Sequence, residues 1–139
     1  MDFTDVAYWG EIERIMEWAK HHVYSAMYIC WAAQAAMYYY YGVNKTLKSE
    51  KISGVFLHEV YERTNPLVRG FDDEFYAPHS RFTDIDPAEF EKIPELTVLA
   101  ASSEAGVYLA ASRDLRRVFV FGHGEYDADS LKNEYLRDK

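Results

Sequence analysis

Three apolar runs near the end of the chain constrain its fold most: Leu96 to Ala101, Val107 to Ala111 and Val118 to Phe121. Only Glu104-Ala105-Gly106 and Arg113-Asp114 mark the breaks between them. Connections that short join antiparallel strands, so hairpin logic makes the three runs neighbours in one sheet. The first part of the chain reads differently. Val6, Trp9, Ile12, Met16 and Ala19 recur at three- and four-residue steps, which predicts an amphipathic helix over residues 5 to 21, with Thr4 or Asp5 as its cap. Tyr24 to Ile29 reads as a short buried strand. The strong helix formers Trp31 to Met37 follow, and their helix ends near Gly42, a natural C-cap.

Between these two parts, Lys45 to Lys51 reads as a polar loop and Ile52 to Tyr61 as a β-branched and aromatic strand. Thr64-Asn65-Pro66 and Arg69 to Asp73 are turn-rich, and Phe75 to Thr83 is extended but interrupted by Pro78. Asp86 followed by Pro87 places an N-cap and a first-turn proline at the start of a short helix. Ala128 to Arg137 reads as a terminal helix. Helix, strand, helix, several strands and helix together predict an α/β fold with a mixed sheet, in a chain whose 139 residues are the size of one domain.

Charge narrows the partners. The net charge is -8, with 15 basic and 23 acidic residues, which is the wrong sign for sequence-independent nucleic-acid binding or for an anionic membrane surface. Acidic and basic residues balance only over residues 45 to 81, so an anionic ligand meets least repulsion there. No apolar run has the length needed to span a bilayer. The acidic N-terminus lacks the basic start of a secretory signal, and the lone Cys30 forms no internal disulfide, so a cytoplasmic location is expected.

Two places carry candidate chemistry. Cys30 lies between a predicted strand and a predicted helix, where a nucleophile is held on a sharp turn and the helix N-terminus favours thiolate. The alternative is a buried structural cysteine. His123 follows the strand Val118 to Phe121 and precedes Glu125 by two residues, so the pair can act as a base and its orienting acid. The alternative is a solvated turn. No cluster has metal-ligand spacing, and no metal is expected.

Cys30-x-x-x-Gln34, followed much later by a strand and His123-x-Glu125, is similar to the class I glutamine amidotransferase-like superfamily. The detailed text resembles one branch of it, the homoserine O-acyltransferases (O-succinyltransferases and O-acetyltransferases). The segments that carry the likeness are Tyr-Trp-Gly-Glu-Ile-Glu (8 to 13), Ile-Cys-Trp-Ala-Ala-Gln-Ala-Ala (29 to 36), Gly-Val-Phe-Leu-His (54 to 58), Pro-Leu-Val-Arg-Gly-Phe-Asp-Asp (66 to 73), Pro-His-Ser-Arg-Phe-Thr (78 to 83), Gly-His-Gly-Glu-Tyr-Asp (122 to 127) and Glu-Tyr-Leu-Arg-Asp (134 to 138).

The resemblance implies a flavodoxin-like mixed sheet flanked by helices, lacking the family's N-terminal strands, with residues 1 to 139 as a single domain matching the C-terminal catalytic portion. It implies Cys30 as acyl-accepting nucleophile, His123 as general base, Glu125 as its orienting acid and the Trp31 amide as an oxyanion donor. Lys51, Ser80, Arg81 and Arg137 match positions lining the substrate pocket, with Arg137 suited to the homoserine carboxylate. Each of these four also has a plain reading as a surface charge or hydroxyl. The implied reaction takes an acyl group from succinyl-CoA or acetyl-CoA to L-homoserine in methionine biosynthesis. Acyl-CoA is a co-substrate, and no cofactor is permanently bound. His79 matches no functional position and reads as structural; His21 and His22 read as a helix-end pair beside the dipole.

The chain departs from the family pattern at Ala32, where the family has Gly, and at Gly124, where it usually has Pro. A methyl at Ala32 tightens the junction, and Gly124 loosens the turn. Family members are also much longer. Missing strands would leave an open edge and an apolar face, which a second copy or a partner chain could cover. Two other functions compete with acyl transfer: a non-catalytic remnant acting as a binding or assembly module, and a glutamine amidotransferase-like enzyme.

Overall fold

The computed structural model describes all of residues 1–139. A six-stranded mixed sheet organises the chain. In chain order the elements are α1 (Trp9–His22), β1 (Ala26–Ile29), α2 (Trp31–Tyr41), β2 (Thr46–Val60), β3 (Glu74–Asp84), α3 (Pro87–Glu91), β4 (Leu96–Ser102), β5 (Gly106–Ser112), β6 (Arg117–Val120) and α4 (Ser130–Asp138). The sheet order is β1-β6-β5-β4-β2-β3. Only β1 and β6 pair in parallel, and the three late strands form the expected antiparallel hairpins.

The helix that follows β1 is apolar nearly all round, and its Ala33, Ala35, Ala36 and Met37 are completely buried against α1 and Phe119 of β6. Gly42 ends it in the left-handed conformation at φ 70°, where a Cβ would be strained. A second apolar cluster, built on Leu99, Leu109 and Val118, fills the other face of the sheet. Buried Gln34 ties α2 to the far edge strand: its Nε2 donates to the Thr83 carbonyl at 3.1 Å, and the Thr83 hydroxyl donates back to Oε1 at 2.7 Å. Both ends of the amide are thereby satisfied in the interior.

Four local expectations are corrected. Helix α1 begins at Trp9, and Thr4 and Asp5 lie instead in a 3-10 turn that lays Phe3 on Trp9 and Trp31. Strand β1 is not buried; it is an edge strand, with Met27 and Ile29 exposed. Residues 46–51 are not a loop but the first arm of β2, paired through Thr46 with Asp84 and Leu47 with Thr83, with an irregularity before Ile52. Its residues look polar because that arm is solvated. Pro78 does not interrupt β3. It pairs opposite Val55, and because β3 is an edge strand the missing N–H breaks no ladder bond. No helix is long and apolar enough to cross a membrane.

Candidate active site

Cys30 occupies the single residue between β1 and α2. Its backbone adopts φ 55° and ψ -116°, a conformation non-glycine residues rarely hold, and its amide donates to the Val120 carbonyl at 2.7 Å. A tolerated outlier at such a junction marks a place where the surroundings over-determine the backbone. The Cys30 carbonyl accepts from the amides of Ala33 and Gln34. The amides of Trp31 and Ala32 belong to the first turn, where no intrahelical acceptor exists. Ala32 lies within right-handed helix, so its methyl does not distort the turn.

His123 arrives from the end of β6. Its Nδ1 meets Glu125 Oε1 at 2.6 Å, and its ring stacks on Tyr126 with centroids 4.2 Å apart. The imidazole is pushed up to about 9. The Cys30 side chain beside the ring contributes most; burial opposes it, and the bond and charge of Glu125 add to it. Cys30 and Glu125 thus both favour the charged form of the ring. Replacing Glu125 by Gln removes one of the supports for imidazolium. The pH profile of Cys30 alkylation by iodoacetamide is expected to move its upper inflection to lower pH; an unmoved inflection would show that Glu125 does not hold the ring.

A second cluster adjoins this one through Tyr126, whose hydroxyl donates to Glu134 on α4. The other oxygen of Glu134 accepts from Ser80, and Lys51 lies 3.7 Å away and also bonds Asp138. Burial alone would raise the Glu134 carboxyl, but the hydroxyls of Ser80 and Tyr126 and the charges of Lys51 and Arg137 hold it below its usual value. Lys51 and Ser80 thus converge on the turn that bears His123. Arg137 is on the same helix but mostly exposed, with its Nε 3.2 Å from Asp138. Arg81 is placed elsewhere. It is buried, and its guanidinium is committed to Asp84 at 3.0 Å, the Ala105 carbonyl at 2.5 Å and His79.

Sequence reasoning did not single out Tyr126, Glu134 or Tyr108. Glu134, Arg137 and Asp138 at three- and four-residue spacing on one predicted helix were the available signal for Glu134. Tyr108 gave none, because its role depends on sheet curvature. That curvature brings edge strand β3 over the end of β6, where the His123 amide donates to the Pro78 carbonyl at 2.9 Å.

The chain matches the homoserine O-succinyltransferase family over residues 1–139. It is 53 % identical over 138 residues to a homoserine O-succinyltransferase of Alteromonas mediterranea, covering 99 % of this chain and 44 % of that protein. It is 54 % identical over 138 residues to a homoserine O-acetyltransferase of Thermotoga neapolitana, covering 99 % of this chain and 45 % of that one. The chain thus spans under half the length of these curated relatives. Among solved structures, a glutamine amidotransferase from Thermotoga maritima superposes with a TM-score of 0.76 at 16 % identity, over 97 % of this chain and 56 % of that one. Another glutamine amidotransferase, from Methylobacillus flagellatus, superposes with a TM-score of 0.75 at 14 % identity, over 100 % of this chain and 53 % of that one. At such identities the likeness is one of fold, and the fold is glutamine amidotransferase-like. By the match along its whole length, the chain belongs to the homoserine O-succinyltransferase family.

Proposed function

We propose that this chain, as one domain, carries the acyl-transfer centre of a homoserine O-acyltransferase, moving an acyl group from succinyl-CoA or acetyl-CoA to the hydroxyl of L-homoserine in cytoplasmic methionine biosynthesis. The observation that carries the reading is the gathering of Cys30, His123 and Glu125 at one place: the cysteine stands on a strained strand-to-helix junction, its side chain is the main influence on the His123 ring, and Glu125 bonds the far side of that ring at 2.6 Å. The thiolate of Cys30 attacks the thioester carbonyl, and the oxyanion forms beside the amides of Trp31 and Ala32. As the intermediate collapses, the carbon–sulfur bond to CoA breaks and imidazolium His123 protonates the departing thiolate. His123, now neutral, takes the proton of the homoserine hydroxyl as its oxygen attacks the acyl-cysteine. Cys30 leaves as thiolate beside the regenerated imidazolium, and the exchange follows ping-pong kinetics. The chemistry needs no metal or bound cofactor.

Lys51 and Ser80 border the site on one side, and Arg137, on the helix that carries Glu134 and largely exposed, offers its guanidinium to the homoserine carboxylate. Exposed Tyr24, Met27 and Ile29 on and beside edge strand β1 support a second copy or a partner chain covering that edge; a strictly monomeric species in sedimentation would count against it.

The test is direct. Incubation with succinyl-CoA or acetyl-CoA is expected to add one acyl mass to Cys30, and added L-homoserine to discharge it. Folded protein that takes no acyl group from either donor would make this chain a binding or assembly module. Release of ammonia from glutamine would instead favour the amidotransferase chemistry of the fold neighbours.

A further inference from the structure

Beneath the turn that carries His123 lies a buried polar chain that the acyl-transfer scheme does not use. His58 and His79 are both fully buried, with Nε2 atoms 2.8 Å apart and rings stacked at 5.0 Å. Arg81 meets the other nitrogen of His79. A guanidinium only donates, so His79 Nδ1 is the acceptor and its proton resides on Nε2. That proton is donated to His58 Nε2, which places the His58 proton on Nδ1. Nδ1 has no well-aligned partner and faces the carbonyls of Phe56 and Phe75. Direction along the chain is therefore fixed from Arg81 to His79 to His58. Burial first, and then the charge of Arg81, hold His79 down at about 3, so the ring is neutral across the working range.

The chain connects physically to His123. Pro78, the neighbour of His79 on β3, accepts the His123 amide through its carbonyl. Tyr108 packs edge-on to both imidazoles, at 5.0 and 5.8 Å, and against Phe75 at 5.2 Å. The same tyrosine ring presses on Gly122 so closely that a Cβ there would lie 2.5 Å from it. Strand β3, whose Pro78 carbonyl holds the His123 amide, is a sheet edge, paired only with β2. Its height over the end of β6 is set by what lies beneath it, and what lies beneath is this chain.

We propose that His79, locked between Arg81 and His58, is a positioning residue for His123, acting through Pro78 and Tyr108. The proposal rests on Cys30 and His123 being the reacting pair. It predicts a coupling between a fully buried imidazole and the Cys30–His123 unit without any contact of His79 with substrate.

The test reads the reacting pair without requiring turnover. In the native chain, nitrogen-15 NMR of the imidazoles is expected to show His79 protonated on Nε2 and His58 on Nδ1; the opposite tautomers would overturn the chain. His79→Leu is expected to slow Cys30 alkylation by iodoacetamide at neutral pH at least tenfold and to lower the pH of its upper inflection. His79→Gln retains a donor toward His58 and is expected to recover most of that loss. A folded His79→Leu protein with the native alkylation profile would reduce His79 to packing. Should His79→Leu not fold, the His79→Gln profile and the native tautomers decide. Acylation of native Cys30 tests the acyl-transfer reading separately, so one failure is not mistaken for the other.

Discussion

Replacing His123 by Asn is expected to slow acylation of Cys30 by acyl-CoA roughly a thousandfold, within the span that positioned acid–base groups contribute. The size follows from how much the one ring does. It is the ring on which the Cys30 side chain acts most strongly, it is held by Glu125 at 2.6 Å, and its charged form is favoured up to about 9. In the proposed cycle it protonates the departing CoA thiolate and then takes the homoserine proton. Asparagine fills much of the space but cannot exchange a proton at either step. Time-resolved mass spectrometry of the acyl adduct is the measurement, with near-ultraviolet circular dichroism to show an intact fold. An adduct forming at the native rate in folded H123N would remove His123 from the chemistry.

The second large effect concerns a residue with no side chain. Gly122→Ala is expected to destabilise the fold by about 2–3 kcal/mol, as overpacking in a filled interior does. At this chain length that lowers the melting temperature by roughly 10 °C. The backbone at Gly122 is not the obstacle, since its φ lies outside the left-handed region. Space is. An added Cβ would sit 2.5 Å from the Tyr108 ring and 2.9 Å from the Pro78 carbonyl oxygen. The ring cannot retreat, because His58, Phe75 and His79 surround it. The carbonyl cannot retreat without releasing the His123 amide. Gly124→Ala is the control. Its Cβ would meet only the Tyr108 hydroxyl, at 3.3 Å and at the end of a side chain, so its cost is expected to stay under about 1 kcal/mol. Thermal melts of the two variants compare them; equal losses would mean that loop flexibility, not the Tyr108 contact, sets the requirement at 122.

How much of this was legible beforehand depended on the range of the interaction concerned. Helix α2 and its end at Gly42 could be read because composition and capping are local. The three late strands could be read because their connections are too short for anything but hairpins. Residues 46–51 could not, because pairing with β3 makes them a strand while their side chains stay in water. Cys30, His123 and Glu125 stood out through their flanking elements. Their common neighbour Tyr126 and its bond to Glu134 did not, nor did the commitment of Arg81 to the interior. Both depend on the curl that carries β3 over the end of β6. Sequence periodicity reports which face of an element is apolar, not where a sheet edge comes to rest.

The contact between Pro78 and His123 has one more consequence. In a strand, the N–H and C=O of one residue point to the same side. The Pro78 carbonyl turns away from β2 toward His123, so the missing proline N–H lies on the same free side of β3. At that point the edge offers an incoming strand neither a donor nor an unoccupied acceptor. Free strand edges are templates for aggregation, and proline and covering loops are two ways proteins blunt them. Here the turn bearing His123 is the covering loop. Damage that frees this turn therefore also uncovers a pairing edge, and variants that lose the site in this way will tend to lose solubility with it.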